Sequence, residues 1–458
     1  MVEAEVWRIA QVIGGVVVGE GDPHAVVRGV AIDSRKVRGG EAFFALKGER
    51  RDGHLFVDEA FAKGAVCAVV ERLEGSRGTR ILVKDTLRAL ARLAEWWRGE
   101  IGAVVVAITG SVGKTTTKEL TAAALGEWFS VHKSPGTYNT EIGLPLTILS
   151  APRGTEVLVT EMAMRGPGQI RELCRIARPK VGVVTRVGRA HLEFFGSEEE
   201  IALAKGELIE SLPEDGVAVL RADDWAFGLL KGRAKARVLT FAGAPDGADF
   251  WPRGIRSFGA EGVEVRADTP VGAVRFKLML PGRENGINAL AALAVAYALG
   301  VPLKRAVRGL ERVEPLPGRL KMRSIKGVKV IDDTYNASPE SVKVAIEVLC
   351  ETDADRRVAC LGEMRELGRE SERLHREVGE LVARSGVDLL VAVGEGGEWI
   401  AEGAKRAGMA EERVRVLPSP EEAGRFLASW AEAGDLILFK ASRAVGMERA
   451  LEVFESAL

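Results

Sequence analysis

The chain has 458 residues, 47% hydrophobic and 28% charged, with a formal net charge of −1, so it is sized for two to four globular domains with ample core. The balanced charge argues against a nucleic-acid or membrane-surface role, and the longest apolar run, Ala289 to Leu299, is too short to span a bilayer. The acidic start, Met1-Val2-Glu3-Ala4-Glu5, lacks a signal-peptide pattern, and Cys67, Cys174, Cys350 and Cys360 have no metal or disulfide spacing, which points to a reducing cytoplasm.

Residues 1–84 read as a small α/β unit. Val26 to Asp33 and Glu41 to Leu46 are expected strands, Asp58 to Lys63 a helix, and Ala65 to Glu71 a further strand. The Asp33-Ser34-Arg35 turn and the loop from Lys47 to His54 could grip an anion or be ordinary surface loops.

Residues 85–312 alternate strands and helices around Val104-Val105-Val106-Ala107-Ile108-Thr109-Gly110-Ser111-Val112-Gly113-Lys114-Thr115-Thr116-Thr117. An apolar strand, a glycine turn and a helix from Lys118 to Trp128 make a phosphate seat. Glycines let successive N–H groups converge, and the helix start adds more. Lys114 would reach the terminal phosphates and Thr115 would sit on Mg²⁺. Ile108 stands where the commoner P-loop has its first glycine, so this is a shorter variant.

Val157 to Thr160, Val181 to Val187, Gly216 to Ala222 and Val238 to Phe241 complete a doubly wound parallel sheet, with Gly110, Glu161 and His191 beyond strand ends. Glu161 suits a metal or a substrate water; His191 and Lys205 could equally be structural or solvated. Phe250 to Leu280 alternates as β structure, and Asn288 to Leu299 is an apolar helix. Asn285 and Asn288 share a helix face and suit a purine edge, although Asn285 could instead cap the helix.

Residues 313–458 read as a Rossmann-like α/β unit without G-x-G-x-x-G, which excludes an NAD domain of that type. Asp332-Asp333 could hold ribose hydroxyls or metal, or lead into a helix capped by Ser338 with Pro339 as its first residue. Lys440 and Arg443 close the last strand as a carboxylate clamp. Only four asparagines and two glutamines occur, which fits a heat-adapted source. All four asparagines, Asn139, Asn285, Asn288 and Asn336, fall in stretches that stand out on other grounds.

Taken in order, these stretches resemble the Mur ligase family, ATP-dependent amide-forming enzymes of peptidoglycan synthesis. The resemblance runs from Asp33-Ser34-Arg35 and Ala45 to Arg50, through Thr109 to Thr115, Tyr138-Asn139-Thr140 and Ala190-His191-Leu192-Glu193, to Lys205, Asn285/Asn288, Pro317-Gly318-Arg319, Asp333 and Lys440 to Arg443. It implies three domains: a small N-terminal α/β domain for the UDP end of the substrate, a central P-loop ATPase and a closing C-terminal domain. ATP would contact Gly110, Ser111, Gly113, Lys114, Thr115, Thr116, Asn285, Asn288, Arg319, Asp333 and Tyr335. Substrate would contact Ser34, Arg35, Lys47, Asn139, Thr140, Lys440 and Arg443. Two Mg²⁺ would lie at Thr115, Glu161, His191 and a carbamylated Lys205; Lys114, His191 and Lys205 would carry catalysis.

The implied substrates are UDP-N-acetylmuramoyl-tripeptide and D-alanyl-D-alanine, handled by a cytoplasmic monomer. Two residues depart from the family pattern: Ala441 replaces a glycine and Ser338 an asparagine. After Val393 no Asp-Asn-Pro-Arg-like motif follows, which favours a dipeptide-adding member over one adding a single amino acid. A nucleotide switch without bond-forming chemistry is the reading from another class; it leaves Lys205 and the last unit's motifs without a role.

Overall fold

A strand covered on both faces needs a continuous apolar run, and Val104–Thr109 is buried from Val105 onward. The computed structural model describes residues 1–48, 51–73, 78–188, 192–245 and 247–458. In it this strand sits inside a six-stranded parallel sheet. The order is Arg237–Phe241, Val217–Arg221, Val181–Val184, Val104–Thr109, Val157–Glu161 and Val131–Lys133. The chain builds to one side of Val104–Thr109 first and to the other side later. The crevice beyond its C-terminal end is therefore a topological switch point, where open α/β sheets bind ligands. The helix Arg283–Ala298 packs on one face, buried almost all round by a three-stranded antiparallel sheet (Trp251–Ser257, Val263–Asp268, Val274–Leu278).

The N-terminal sheet has the order Val16–Val18, Thr79–Leu82, Cys67–Val70, Ala42–Phe44 and Val30–Ala31. The expected strand Val26 to Asp33 is broken. Gly29, at φ 97°, divides it into Val26–Arg28, which pairs with Glu3–Glu5, and Val30–Ala31, which joins the larger sheet. The helix Thr86–Ile101 carries Leu90, Leu93 and Trp97 into a core shared with Val105, Ile148 and Leu158 of the central unit. Trp97 Nε1 donates to the Ala151 carbonyl at 3.0 Å. The first two units are thus joined through apolar core.

The last sheet runs Lys321–Ile325, Val328–Asp332, Leu436–Lys440, Arg357–Gly362, Leu389–Val393 and Val414–Leu417, with only the first pair antiparallel. That edge strand escaped sequence reading because Lys321-Met322-Arg323-Ser324-Ile325 is mostly polar. Two helices also begin earlier than their apolar periodicity suggests. The glycine-loop helix is Lys114–Gly126, and the helix expected from Asn288 starts at Arg283. Asn285 therefore lies in a first turn whose N-cap is Gly282, and is not itself the cap. Among the described residues no helix is long and apolar enough to cross a membrane.

Candidate functional site

Past Thr109 the backbone turns through Gly110 at φ 150° and Gly113 at φ 87°. A Cβ on Gly110 would lie 2.0 Å from Thr185 Oγ1, and one on Gly113 would lie 2.9 Å from Asn288 Oδ1, so both positions require glycine. The loop is stapled to the segment after Val181–Val184. Ser111 N donates to the Arg186 carbonyl at 2.7 Å, and Thr185 Oγ1 donates to the Val112 carbonyl at 2.6 Å. The Ser111 hydroxyl donates to the Gly188 carbonyl and accepts from its N–H. Thr117 is the first residue of the helix whose N–H finds a carbonyl, that of Gly113 at 2.8 Å. The N–H groups ahead of it form an anion seat. Lys114 curls over this seat, with Nζ donating to the Gly110 carbonyl at 2.7 Å and to that of Ser111 at 3.3 Å. Burial pushes its ammonium below the ordinary lysine range; the Glu161 carboxylate opposes that shift and Arg319 reinforces it.

Glu161, at the end of Val157–Glu161, is buried and faces this loop. Its Oε2 accepts from Thr115 Oγ1 at 2.8 Å and its Oε1 from Asn139 Nδ2 at 2.8 Å. Arg319 Nη2, from the last unit, donates to the same Thr115 hydroxyl at 3.1 Å. Three lysines rank among the largest fully buried side chains: Lys118, Lys205 and Lys440. Burial, and secondly the charge of Lys114, push Lys205 well below its ordinary range, and among the described residues no carboxylate pairs with it.

The last unit closes one wall. Asp333 Oδ1 accepts from Leu320 N at 3.1 Å and Oδ2 from Lys440 Nζ at 2.5 Å; Lys440 also donates to the Asn336 carbonyl at 2.9 Å. Asp332 accepts from Thr334 Oγ1 and from Gly318 N, holding the Pro317-Gly318-Arg319 turn against the strand end. Tyr335 lies beneath Arg319, 4.3 Å from its guanidinium, and its hydroxyl is 2.7 Å from Thr137 Oγ1 of the central unit. The walls enclose a cleft of about 1550 Å³.

Of the residues singled out in the sequence, Ser111, Gly113, Lys114, Thr115, Thr116, Asn139, Thr140, Glu161, Asn285, Asn288, Arg319, Asp333, Tyr335, Lys440 and Arg443 line that one cleft. Neither cation stands as half of an open clamp: the Lys440 ammonium neutralises Asp333, and Arg443, on the cleft wall, pairs with Glu448 at 3.1 Å. Ser34, Arg35 and Lys47 are not on this wall. Arg35 folds back on Asp33, the Ser34 hydroxyl donates to Glu59 at 2.9 Å, and the Lys47 backbone pairs with that of Asp52 in an isolated antiparallel β-bridge. His191 and Glu49-Arg50 lie outside the described residues.

Ser338 does cap the helix Pro339–Glu351, in a reciprocal pair with Ser341. The Ala441 methyl fits because its neighbour across the sheet is Gly362, where a Cβ would lie 2.9 Å away. Sequence reading missed the charged group Arg186, Arg221 and Glu284 that lines the cleft with Asn285 and Asn288. Arg221 Nη1 donates to Glu284 Oε2 at 2.7 Å, between elements that only the fold brings together. Thr137 was also missed, although it stands two residues before Asn139.

Three family descriptions match the chain: "Mur ligase family, catalytic domain" over residues 26–98, "Mur ligase middle domain" over 108–296, and "Mur ligase, glutamate ligase domain" over 318–443. The UDP-N-acetylmuramoyl-tripeptide–D-alanyl-D-alanine ligase of Bacillus subtilis is 35% identical, with the alignment covering 100% of both chains. The Escherichia coli enzyme of that name is 38% identical over 80% of this chain and 81% of its own. Among solved structures, MurF from Acinetobacter baumannii superposes with a TM-score of 0.91 at 30% identity, covering 100% of this chain and 99% of that one. MurF from Thermotoga maritima in complex with ADP superposes at 0.82 and 36% identity, covering 94% and 98%. Whole-chain identity at this level, with three family domains in order, establishes that the chain belongs to the Mur ligase family.

Proposed function

We propose that the chain is an ATP-dependent peptide ligase that joins D-alanyl-D-alanine to UDP-N-acetylmuramoyl-tripeptide. The observation that carries this reading is the convergence of the glycine loop, Glu161 and the Arg319–Tyr335 wall on one cleft. The relatives that match the whole chain carry that name. Residues 1–84 would take the UDP end through Ser34, Arg35 and Lys47. Residues 85–312 would hold ATP, and residues 313–458 would close over both, in the cytoplasm.

A carboxylate does not react with an amine at neutral pH. A carboxylate oxygen of the tripeptide therefore attacks the γ-phosphorus of ATP, the bond to the β-phosphate oxygen breaks, and ADP leaves. The amine nitrogen of the dipeptide then attacks the acyl carbon. The carbon–oxygen bond to phosphate breaks, inorganic phosphate departs, and the amine's proton is lost to solvent or a nearby base. The seat ahead of Thr117 fixes the phosphates, and Lys114 neutralises charge as it develops on the transferring group. Arg319 and Tyr335 close the cleft, which keeps water from the acyl phosphate.

Thr115 and Glu161 offer the hard oxygen atoms that Mg²⁺ takes, and Mg²⁺ bound there supplies further neutralisation of phosphate charge. Among the described residues no cluster of three or more His, Cys, Asp or Glu forms a ready metal cage, which suits an ion bound through few carboxylates and the substrate's own phosphates. Lys205, buried and with its protonated form disfavoured, is suited to add CO₂ through its nitrogen. Loss of one proton would leave an anionic carbamate, an oxygen donor that could help hold a second Mg²⁺.

The decisive assay is phosphate release with ATP, UDP-muramoyl-tripeptide and a panel of amines. Turnover with D-alanyl-D-alanine and not with single amino acids is expected; the reverse pattern assigns the chain to a sibling ligase. Lys205→Ala should remove most activity, with partial recovery in short carboxylates. Full activity without them rules out the carbamate role.

A further inference from the structure

Lys118 lies one turn beyond Lys114 on the glycine-loop helix, and its side chain is fully buried. A buried ammonium is costly unless its three N–H bonds are matched. Here Nζ donates to the Ser134 carbonyl at 2.8 Å and to the Gly136 carbonyl at 2.6 Å. The neighbouring Glu119 carboxylate, itself paired with Lys133, stands 3.2 Å away. Two of the three partners are thus carbonyls of a single turn.

That turn leads directly into the cleft. Gly136, at φ 52°, reverses the chain, and Thr137, Asn139, Thr140 and Glu141 follow as cleft residues. Thr137 meets the Tyr335 hydroxyl across the cleft, and Asn139 donates to Glu161. The turn's other backbone ties include Ser134 N to the Val159 carbonyl at 3.0 Å, Tyr138 N to that of Pro135 at 3.2 Å, Ala163 N to that of Asn139 at 2.9 Å and Leu144 N to that of Thr140 at 2.9 Å.

We propose that Lys118 is a positioning residue: its ammonium fastens the 134–140 turn to the glycine-loop helix and thereby holds Asn139 on Glu161 and Thr137 on Tyr335. One helix then orients both sides of the reaction, with Lys114 toward phosphate and Lys118 toward the segment that meets substrate. Removing the ammonium while keeping the stem leaves two carbonyls without donors and releases the turn.

The inference rests on the ligase reading only for its kinetic readout. In Lys118→Met, ADP affinity by calorimetry should stay within about threefold of the parent, because the phosphate seat is untouched. Hydrogen exchange across 136–140 should quicken about tenfold, with Val104–Thr109 unchanged. The kcat/KM for the muramoyl tripeptide should fall about 10- to 100-fold, as expected for a misplaced substrate-side group. Adding Asn139→Ala should cost little more, since the two changes remove one arrangement. A role confined to stability would lower Tm and leave kcat/KM within threefold well below Tm, or give effects that multiply with Asn139→Ala; either result overturns the proposal.

Lys118→Gln, which keeps two donors without charge, serves if the methionine variant does not fold. If neither folds, exchange in the unmodified protein decides: the Tyr138 N–H, bonded to the Pro135 carbonyl, must be protected about 100-fold over a free peptide, and exchange at the free-peptide rate overturns the proposal. A parent protein that releases no phosphate with D-alanyl-D-alanine defeats the ligase reading alone, because the exchange result stands apart from it.

Discussion

Two strand–turn–helix units face each other across the cleft, and they use their turns in opposite ways. Val104–Thr109 passes through glycines into Lys114–Gly126, whose N-cap is Gly113 and has no side chain to offer the helix. Val328–Asp332 passes through Asp333-Thr334-Tyr335-Asn336-Ala337 into Pro339–Glu351, whose N-cap Ser338 forms a full capping box. In the first, the helix-start N–H groups are left for an outside anion. In the second, Ser338, Ser341 and a proline satisfy the helix start internally, and Asp332, Asp333 and Lys440 fill the turn. The same topology is a binding site in one unit and a rigid wall in the other. What separates them is whether the turn residues can satisfy the helix end themselves.

Substitutions at matched positions test that contrast. The largest effect is expected at Asp333. Asp333→Asn leaves the Lys440 ammonium buried without a counter-ion and should cost about 3 kcal/mol, visible as an earlier denaturant transition of the last unit. A loss below about 1 kcal/mol would show that the wall does not depend on this pair. Next come the two N-cap positions. Gly113→Ala should weaken ADP binding about tenfold by calorimetry, because its methyl meets Asn288 and the left-handed backbone resists a side chain. Unchanged affinity there would mean that the loop is not the seat. The smallest effect belongs to Ser338→Ala, about 1 kcal/mol of stability with turnover nearly unaltered. If it abolished turnover at a temperature where the protein stays folded, the turn would be part of the site itself.

Much of this was legible because it is local. Gly110, Gly113 and Lys114 announce a phosphate seat by residue type and spacing, and Ser338-Pro339 announces a helix start. The apolar runs of the parallel strands are continuous because both of their faces are covered. What stayed hidden depends on partners far away in sequence. Lys440 reads as half of a carboxylate clamp for a ligand until Asp333, 107 residues earlier, is found against it. Lys118 reads as one more lysine on a helix until the carbonyls of Ser134 and Gly136 enclose its ammonium. The strand Val26 to Asp33 reads as continuous until Gly29 sends its halves to different sheets.

The sequence by itself therefore determined the α/β class, the glycine-loop chemistry and the order of motifs. Each of these follows from backbone freedom, hydrophobic periodicity or residue type within a few positions. Only the tertiary structure decided which cations are free and which are already matched, and that Arg319 and Thr115, 204 residues apart, share a hydrogen bond. A charged group's role is set by what desolvates and neutralises it, and in this protein those neighbours come from other strands and another domain.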